Sequence, residues 1–255
     1  LNIPIFMYEL SATSKDRQNL AIIRKGEYEG MSEKLKLKKW KPDYGPDKLN
    51  IKSGVTAIGV REFLIAYNIN LNTSDKKIAS DIALDIREAG RAKRDKDGKI
   101  IRDNDGVMVK VPGSLKHVKA VGWFLDEYNV AQVSMNLINY KETPVHKVFE
   151  EVRFQAQKRG LRVTGSELVG LIPLDSLINA GKYYLKQQNK SYGVSDSQLI
   201  HIAVKSMGLD EMYEFKSNEK IIDYMIDDSE KLINKTISNF VDEVASDSPA
   251  PGGGS

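Results

Sequence analysis

The 255-residue chain contains no cysteine. That excludes disulfides, thiolate nucleophiles and any zinc site built on Cys, and it favours a cytoplasmic setting. Histidine is nearly as scarce: three residues, His117, His146 and His201, lie too far apart in sequence to be read as a metal site. No metal ligand is therefore assigned. No stretch approaches the ~18 consecutive apolar residues of a spanning helix, so no membrane partner is expected. An excess of one charge is also missing, with 38 Lys+Arg against 35 Asp+Glu. Such balance offers no bulk attraction to nucleic acid, and no nucleic-acid partner is expected. Walker-type loops, a G-x-G-x-x-G after a strand, H-E-x-x-H and repeats of 20–50 residues are all absent. What is there, 41% hydrophobic and 29% charged residues, suits a globular chain with room for one large domain or two modest ones.

Residues 3–8 read as a buried strand and 18–35 as a helix weakened by Gly26 and Gly30. The stretch 41–54 carries two prolines and two glycines, which suits an ordered strap rather than a helix or central strand. Strands follow at 55–58 and 63–71. In the second, Tyr67, Ile69 and Leu71 share one face and Asn68 and Asn70 the other. Ser74 is the expected cap of a helix carrying Ile78, Ile82 and Ile86 and closed by Gly90. Residues 91–112 form a charged excursion with a hairpin expected at Asp105-Gly106.

Two long strands are expected at 118–128 and 130–140. A helix opens at Thr143-Pro144 with Val145, Val148, Phe149 and Val152 as its core stripe. A strand at 161–165, a turn at Gly165-Ser166, an apolar run at 168–172 and helices at 174–188, 195–206, 217–225 and 229–245 complete the chain. This order, with antiparallel neighbours, predicts an α+β fold: a mostly antiparallel sheet with helices packed on one side in ferredoxin-like layering.

Two features carry chemistry. Gln132, Ser134 and Asn136 alternate on one face of a strand whose other face is apolar. Such a stripe is either a solvated sheet face or the floor of a cleft for a polar heteroaromatic ligand, since amides donate and accept at once. In the strap, Gly45 and Gly54 offer close backbone approach, and Lys48 and Lys52 suit carboxylates. A connector with solvated lysines is the plainer alternative. Of the histidines, His146 and His201 fall in helices, and His117 precedes a strand where it can face a cleft.

Several blocks together resemble the glutamate formimidoyltransferase family. They are Trp40-Lys41-Pro42-Asp43-Tyr44-Gly45-Pro46, Gly54-Val55-Thr56-Ala57-Ile58-Gly59, Phe63 to Leu71, Ala120-Val121-Gly122-Trp123-Phe124-Leu125-Asp126-Glu127, Ala131 to Leu137 and Gly165 to Pro173. The resemblance implies an enzyme, a transferase in a homo-oligomeric parent protein, that moves a formimino group from N-formimino-L-glutamate to N5 of its co-substrate tetrahydrofolate in histidine breakdown. It implies that residues 1–63 end an N-terminal subdomain and 64–226 form a C-terminal subdomain. Residues 227–234 would be a linker, and 235–255, including the Gly/Ser tail, the entry to a cyclodeaminase domain. The folate contacts it implies are Gly45, Pro46, Asp47, Lys48, Leu49, Asn50, Ile51, Lys52, Ser53 and Gly54, with Leu115 beside Lys116. The family's catalytic histidine falls before residue 1, so no catalytic residue is assigned in this chain. The excursion 91–112 is longer than the resemblance leads one to expect. The alternative is a non-catalytic folate-binding module.

Overall fold

A computed structural model describes residues 2–226 and the single positions 237 and 241. The expected linker, the last helix apart from positions 237 and 241, and the Gly/Ser tail therefore lie outside the described residues. The chain divides into two compact units at Phe63/Leu64.

In the first unit, β1 (Ile5–Glu9) and β2 (Thr56–Val60) pair in parallel, not antiparallel as expected of neighbouring strands. The 46 residues between them supply the crossover that a parallel pair requires. The helical stretch is broken into α1 (Leu20–Arg24) and α2 (Glu27–Leu35) at Gly26, whose φ of 94° no continuous helix accommodates. Lys34 caps the end of α1, donating to the carbonyls of Ile22, Ile23 and Lys25. Its ammonium also lies 4.3 Å from the centroid of the Trp40 ring. Phe6, Ile23, Met31, Leu35 and Trp40 form the unit's small core.

The second unit is built on β3 (Ile65–Leu71), α3 (Lys76–Ile86), β6 (Val118–Leu125), β7 (Val130–Leu137), α4 (Val145–Lys158) and β8 (Val163–Val169). Two small strands, β4 (Arg91–Ala92) and β5 (Lys110–Val111), intervene. The sheet order β6-β7-β3-β8 is antiparallel throughout, which is the split β-α-β-β-α-β arrangement of the ferredoxin-like fold. Tyr67, Ile69 and Leu71 of β3 and Val133, Met135 and Leu137 of β7 point to the helix-covered face, where α3 contributes Ile82 and Ile86 and α4 contributes Val145, Val148, Phe149 and Val152. The α3 cap is Asp75 rather than Ser74, its carboxylate accepting from Lys77 N at 2.8 Å. That helix ends at Ile86, four residues before Gly90.

Helices α5 (Leu174–Gln187) and α6 (Asp196–Met207) extend the same core, followed by α7 (Ser217–Lys220) and α8 (Ile222–Ile226). A buried relay ties α6 to the sheet: Tyr67 donates to Ser166 Oγ at 2.9 Å, which donates to the Met207 carbonyl at 2.6 Å. Burial pushes the Tyr67 phenol well above its ordinary value, so it stays a neutral donor.

The turn expected at Gly165-Ser166 is absent, and β8 runs straight through it. A Cβ on Gly165 would lie 2.5 Å from the Glu211 Cβ, so this glycine serves close approach within a strand.

The excursion holds two hairpins where one was expected, in an eight-residue repeat too short for a 20–50-residue period to register. Arg94-Asp95-Lys96-Asp97-Gly98 and Arg102-Asp103-Asn104-Asp105-Gly106 make the same turn. Asp95 Oδ1 accepts from the Asp97 and Lys99 amides, and Asp103 Oδ1 from those of Asp105 and Val107. Three backbone bonds close a ring at the repeat spacing: Lys93 N to Val109 O, Ile101 N to Lys93 O, and Val109 N to Ile101 O. At its base, Arg91 and Arg159 share Asp81 and Asp85.

Candidate functional site

Strand alternation decides which side chains reach the face opposite the helices. Asn68 pairs with Ser134 and with Glu167, and Asn70 with Gln132 and Gly165. Val121 pairs with Ser134, and Trp123 with Gln132. Two rows therefore cross the sheet, Val121–Ser134–Asn68–Glu167 and Trp123–Gln132–Asn70–Gly165, with Lys119, Asn136, Ala66 and Val169 in the next. Sequence reasoning found Gln132, Ser134, Asn136, Asn68 and Asn70, and the structure brings them together. It missed Glu167, because the turn expected at Gly165-Ser166 removed that residue from the strand.

Hydrogen bonds order these groups. Gln132 Nε2 donates to Asn70 Oδ1 at 2.8 Å and reaches Glu167 Oε2 at 3.5 Å. Asn68 Nδ2 donates to the same carboxylate oxygen at 3.3 Å. The Tyr213 hydroxyl donates to Glu167 Oε1 at 3.0 Å. An ionised carboxylate only accepts, so it turns the NH2 ends of Asn68 and Gln132 toward itself and leaves their carbonyl ends as acceptors. Burial, reinforced by the bond to Glu167 and its charge, raises the Tyr213 phenol and keeps it protonated.

Gln132 and Asn70 are only 1% and 3% exposed, so this end of the face is not a set of solvated amides. Beside them Trp123, Val121 and Val169 are each about half exposed, at 52%, 55% and 52%. The Lys76 ammonium lies 5.9 Å from the Trp123 ring centroid.

The strap belongs to the first unit and is closed on itself. Asn50 Oδ1 accepts from the Lys52 and Ser53 amides, its Nδ2 donates to Asn2 O, and Gly54 N donates to Asn50 O. Gly45 has φ 80°, and a Cβ there would meet Ile3 O at 2.3 Å, so its bareness is filled by the chain's own backbone. Gly54, at φ 66°, faces the Tyr28 ring. Leu49 packs toward the core, whereas Asp47, Lys48, Ile51, Lys52 and Ser53 are exposed and Pro46 is half-buried.

Arg17 anchors the strap's entry. Its guanidinium donates to Asp43 Oδ1 at 2.6 Å and to the carbonyls of Lys39 and Lys41, while Asp43 Oδ2 accepts from Met7 N. Burial works against the Asp43 charge, but bonds from Thr13 and Met7 and the Arg17 cation outweigh it and hold the carboxyl below its usual value.

Comparison with known proteins follows the division into two units. Residues 66–227 match the model of the formiminotransferase domain, and residues 1–61 that of its N-terminal subdomain. Over its whole length the chain is 44% identical to formimidoyltransferase-cyclodeaminase of Dictyostelium discoideum, covering 45% of that protein. It is 42% identical to the protein of that name from Mus musculus, covering 44% of it. Over 75% of its length it is 42% identical to glutamate formimidoyltransferase of Streptococcus pyogenes serotype M1, covering 57% of that protein. The chain belongs to the formiminotransferase domain family. It spans about half the length of these relatives.

Within this formiminotransferase-family chain the remaining expected site residues are scattered. Leu115 is 3% exposed with its side chain in the second unit's core and its amide bonded to Ile86 O. His117 takes a left-handed φ of 56°, its amide donating to Glu88 Oε2 and its Nε2 lying 2.8 Å from Glu142. His146 stacks on Tyr183 with ring centroids 4.5 Å apart, and burial lowers its pKa to about 4. It lines a cavity of about 390 Å³ with Leu115, Glu150 and Tyr183. His201 is exposed on α6. Among the described residues no group of acidic and histidine side chains is placed to hold a metal, and no helix is long and apolar enough to cross a membrane.

Proposed function

We propose that this chain supplies the tetrahydrofolate-binding part of a glutamate formimidoyltransferase. The reaction moves the formimino group of N-formimino-L-glutamate to N5 of tetrahydrofolate, giving 5-formiminotetrahydrofolate and L-glutamate in histidine degradation. The N5–carbon bond forms, the bond from that carbon to the glutamate nitrogen breaks, and the proton lost by N5 is balanced by one gained at that nitrogen. A group titrating near neutrality suits this exchange, and imidazole is the natural one. His146, held neutral in a packed stack, is a poor candidate.

The observation that carries the reading is the ordered amide face. The pyrimidinone ring of a tetrahydropterin is planar, with a ring N–H, an amino group and a carbonyl around its rim. The Asn68 carbonyl end and the Glu167 carboxylate, both partly exposed beside the half-exposed Trp123, offer acceptors to that rim. The strap from Gly45 to Gly54 and the segment at Leu115 remain the further proposed folate contacts, with Lys48 and Lys52 suited to the glutamate carboxylates.

Tetrahydrofolate titration of the complete gene product, followed by tryptophan fluorescence, tests this. Trp40 is only 6% exposed, so Trp123 is the reporter. Saturable quenching that Trp123→Phe abolishes, with binding retained by calorimetry, is expected. Absence of binding refutes the proposal. Folate binding without glutamate release from N-formimino-L-glutamate would favour the non-catalytic module instead. The 255-residue chain alone is expected to transfer nothing.

A further inference from the structure

Glu167 is the carboxylate on the amide face, and its bonding is unusual for a structural residue. No cation pairs with it among the described ion pairs. Its hydrogen bonds come from three neutral donors, Tyr213, Asn68 and Gln132. The two amide contacts, at 3.3 and 3.5 Å, are long and converge on one oxygen, Oε2. Only the Tyr213 bond, at 3.0 Å to Oε1, is of ordinary length. A carboxylate has about four acceptor positions, so Oε1 keeps one open, while Oε2 is met only by the two long contacts. Its orientation is meanwhile set from β3, from β7 and from the segment after α6. The half-exposed residues Val121, Val169 and Trp123 occupy the same face.

A fixed carboxylate with one open acceptor position on Oε1, and on Oε2 only two long contacts that a better donor displaces, complements a planar group bearing two parallel N–H donors, as it complements a guanidinium. We propose that Glu167 is a specificity-determining binding residue for such a donor pair. The inference rests on the proposed formimidoyltransferase reading, under which two ligands carry the pattern. One is the aminopyrimidinone edge of tetrahydrofolate, with its ring N–H and exocyclic amino group. The other is the formamidine of N-formimino-L-glutamate. Tyr213 acts as a positioning residue: its hydroxyl holds Oε1 and leaves the carboxylate to face the ligand.

The test compares wild type with Glu167→Gln in the complete gene product, since the amide keeps an acceptor for Tyr213 but replaces one acceptor with a donor. Binding is measured by calorimetry for four ligands: tetrahydrofolate, its 2-desamino analogue, N-formimino-L-glutamate and N-formyl-L-glutamate, which has a carbonyl oxygen in place of the imino nitrogen. The expected result is at least a tenfold loss of affinity for either tetrahydrofolate or N-formimino-L-glutamate. That loss should disappear with the matching analogue, which wild type already binds weakly. Loss confined to tetrahydrofolate assigns the pterin edge, and loss confined to N-formimino-L-glutamate assigns the formamidine.

Equal affinity of wild type and variant for both natural ligands would overturn the proposal while leaving the parent reading intact. So would a loss of the same size for a ligand and its analogue, which signals a purely structural role. Wild-type protein that binds neither natural ligand would overturn both. Tyr213→Phe serves as the second variant: it should raise KM for the same ligand several-fold with kcat unchanged, and a fall in kcat alone contradicts the positioning role.

Discussion

Replacing Arg17 with Met should unfold the first unit under conditions where the second stays folded. The Arg17 and Asp43 side chains are 8% and 7% exposed, and the guanidinium also serves two backbone carbonyls and lies 5.3 Å from the Phe6 ring centroid. Removing one partner of a buried, hydrogen-bonded pair costs roughly 3–5 kcal/mol, mostly because the other charge is left unpaired. An exposed pair such as Arg24–Glu27, at 64% and 71% exposure, is of the kind that contributes about 0–1 kcal/mol. The two tryptophans make the experiment readable, since Trp40 lies in the first unit and Trp123 in the second. In a Trp123→Phe background, urea unfolding followed on Trp40 reports the first unit. With a denaturant slope of about 1–3 kcal/mol per molar, Arg17→Met should lower the midpoint by roughly 1–5 M. Arg17→Met combined with Asp43→Leu should cost less than the sum of the two single changes, because neither leaves a lone buried charge. A midpoint shift for Arg17→Met no larger than that for Arg24→Ala would refute the reasoning.

Lys34→Met removes three donations to the end of α1 and should destabilise the first unit by about 1–3 kcal/mol on the same urea assay, with a change in Trp40 emission as the cation leaves the ring. His146 titrates at about 4 in the fold against 6.5 unfolded, so below pH 6.5 the unfolded chain takes up its proton first. Stability should therefore fall between about pH 6.5 and 4 and level off below, by roughly 1–2 kcal/mol once its partial exposure is allowed for, and His146→Phe should flatten that part of the thermal-melting profile. Because Ala92 pairs directly with Lys110, replacing 93–109 by Asn-Gly should leave a closed hairpin and shift the melting temperature by no more than a few degrees. A large loss there would show that the twin hairpins contribute to the core after all.

The core was legible because its signals are periodic and redundant. Val145, Val148, Phe149 and Val152 repeat at helical spacing, and Tyr67, Ile69 and Leu71 at strand spacing, so several residues must be misread before the element is lost. The misreadings sit where one residue type has two physical uses. Gly165 reads in sequence as a turn, whereas the strand needs it bare because Glu211 packs on it. Gly26 was treated as a weak point in one helix and instead separates two. The parallel pairing of β1 and β2 is decided by a crossover that leaves no local trace in either strand.

The same ambiguity decided what could be known of the site. Neutral amides on β3 and β7 were visible by alternation alone, because period two assigns a face without knowledge of neighbours. Glu167 was invisible for a chain of reasons that begins with Gly165: a false turn there places the next residues off the sheet, and a carboxylate off the sheet reads as a solvated charge. Its significance comes from Tyr213, 46 residues later in sequence, whose hydroxyl fixes the carboxylate from another element. The strap shows the converse. Gly45 and Gly54 suggested room for a ligand, yet Ile3 O occupies the place of one missing Cβ and the Tyr28 ring flanks the other. If folate meets this strap, it does so through exposed side chains such as Lys48 and Lys52. Replacing both with Ala should then weaken tetrahydrofolate binding in a salt-dependent way, since charge attraction between exposed groups is what salt screens.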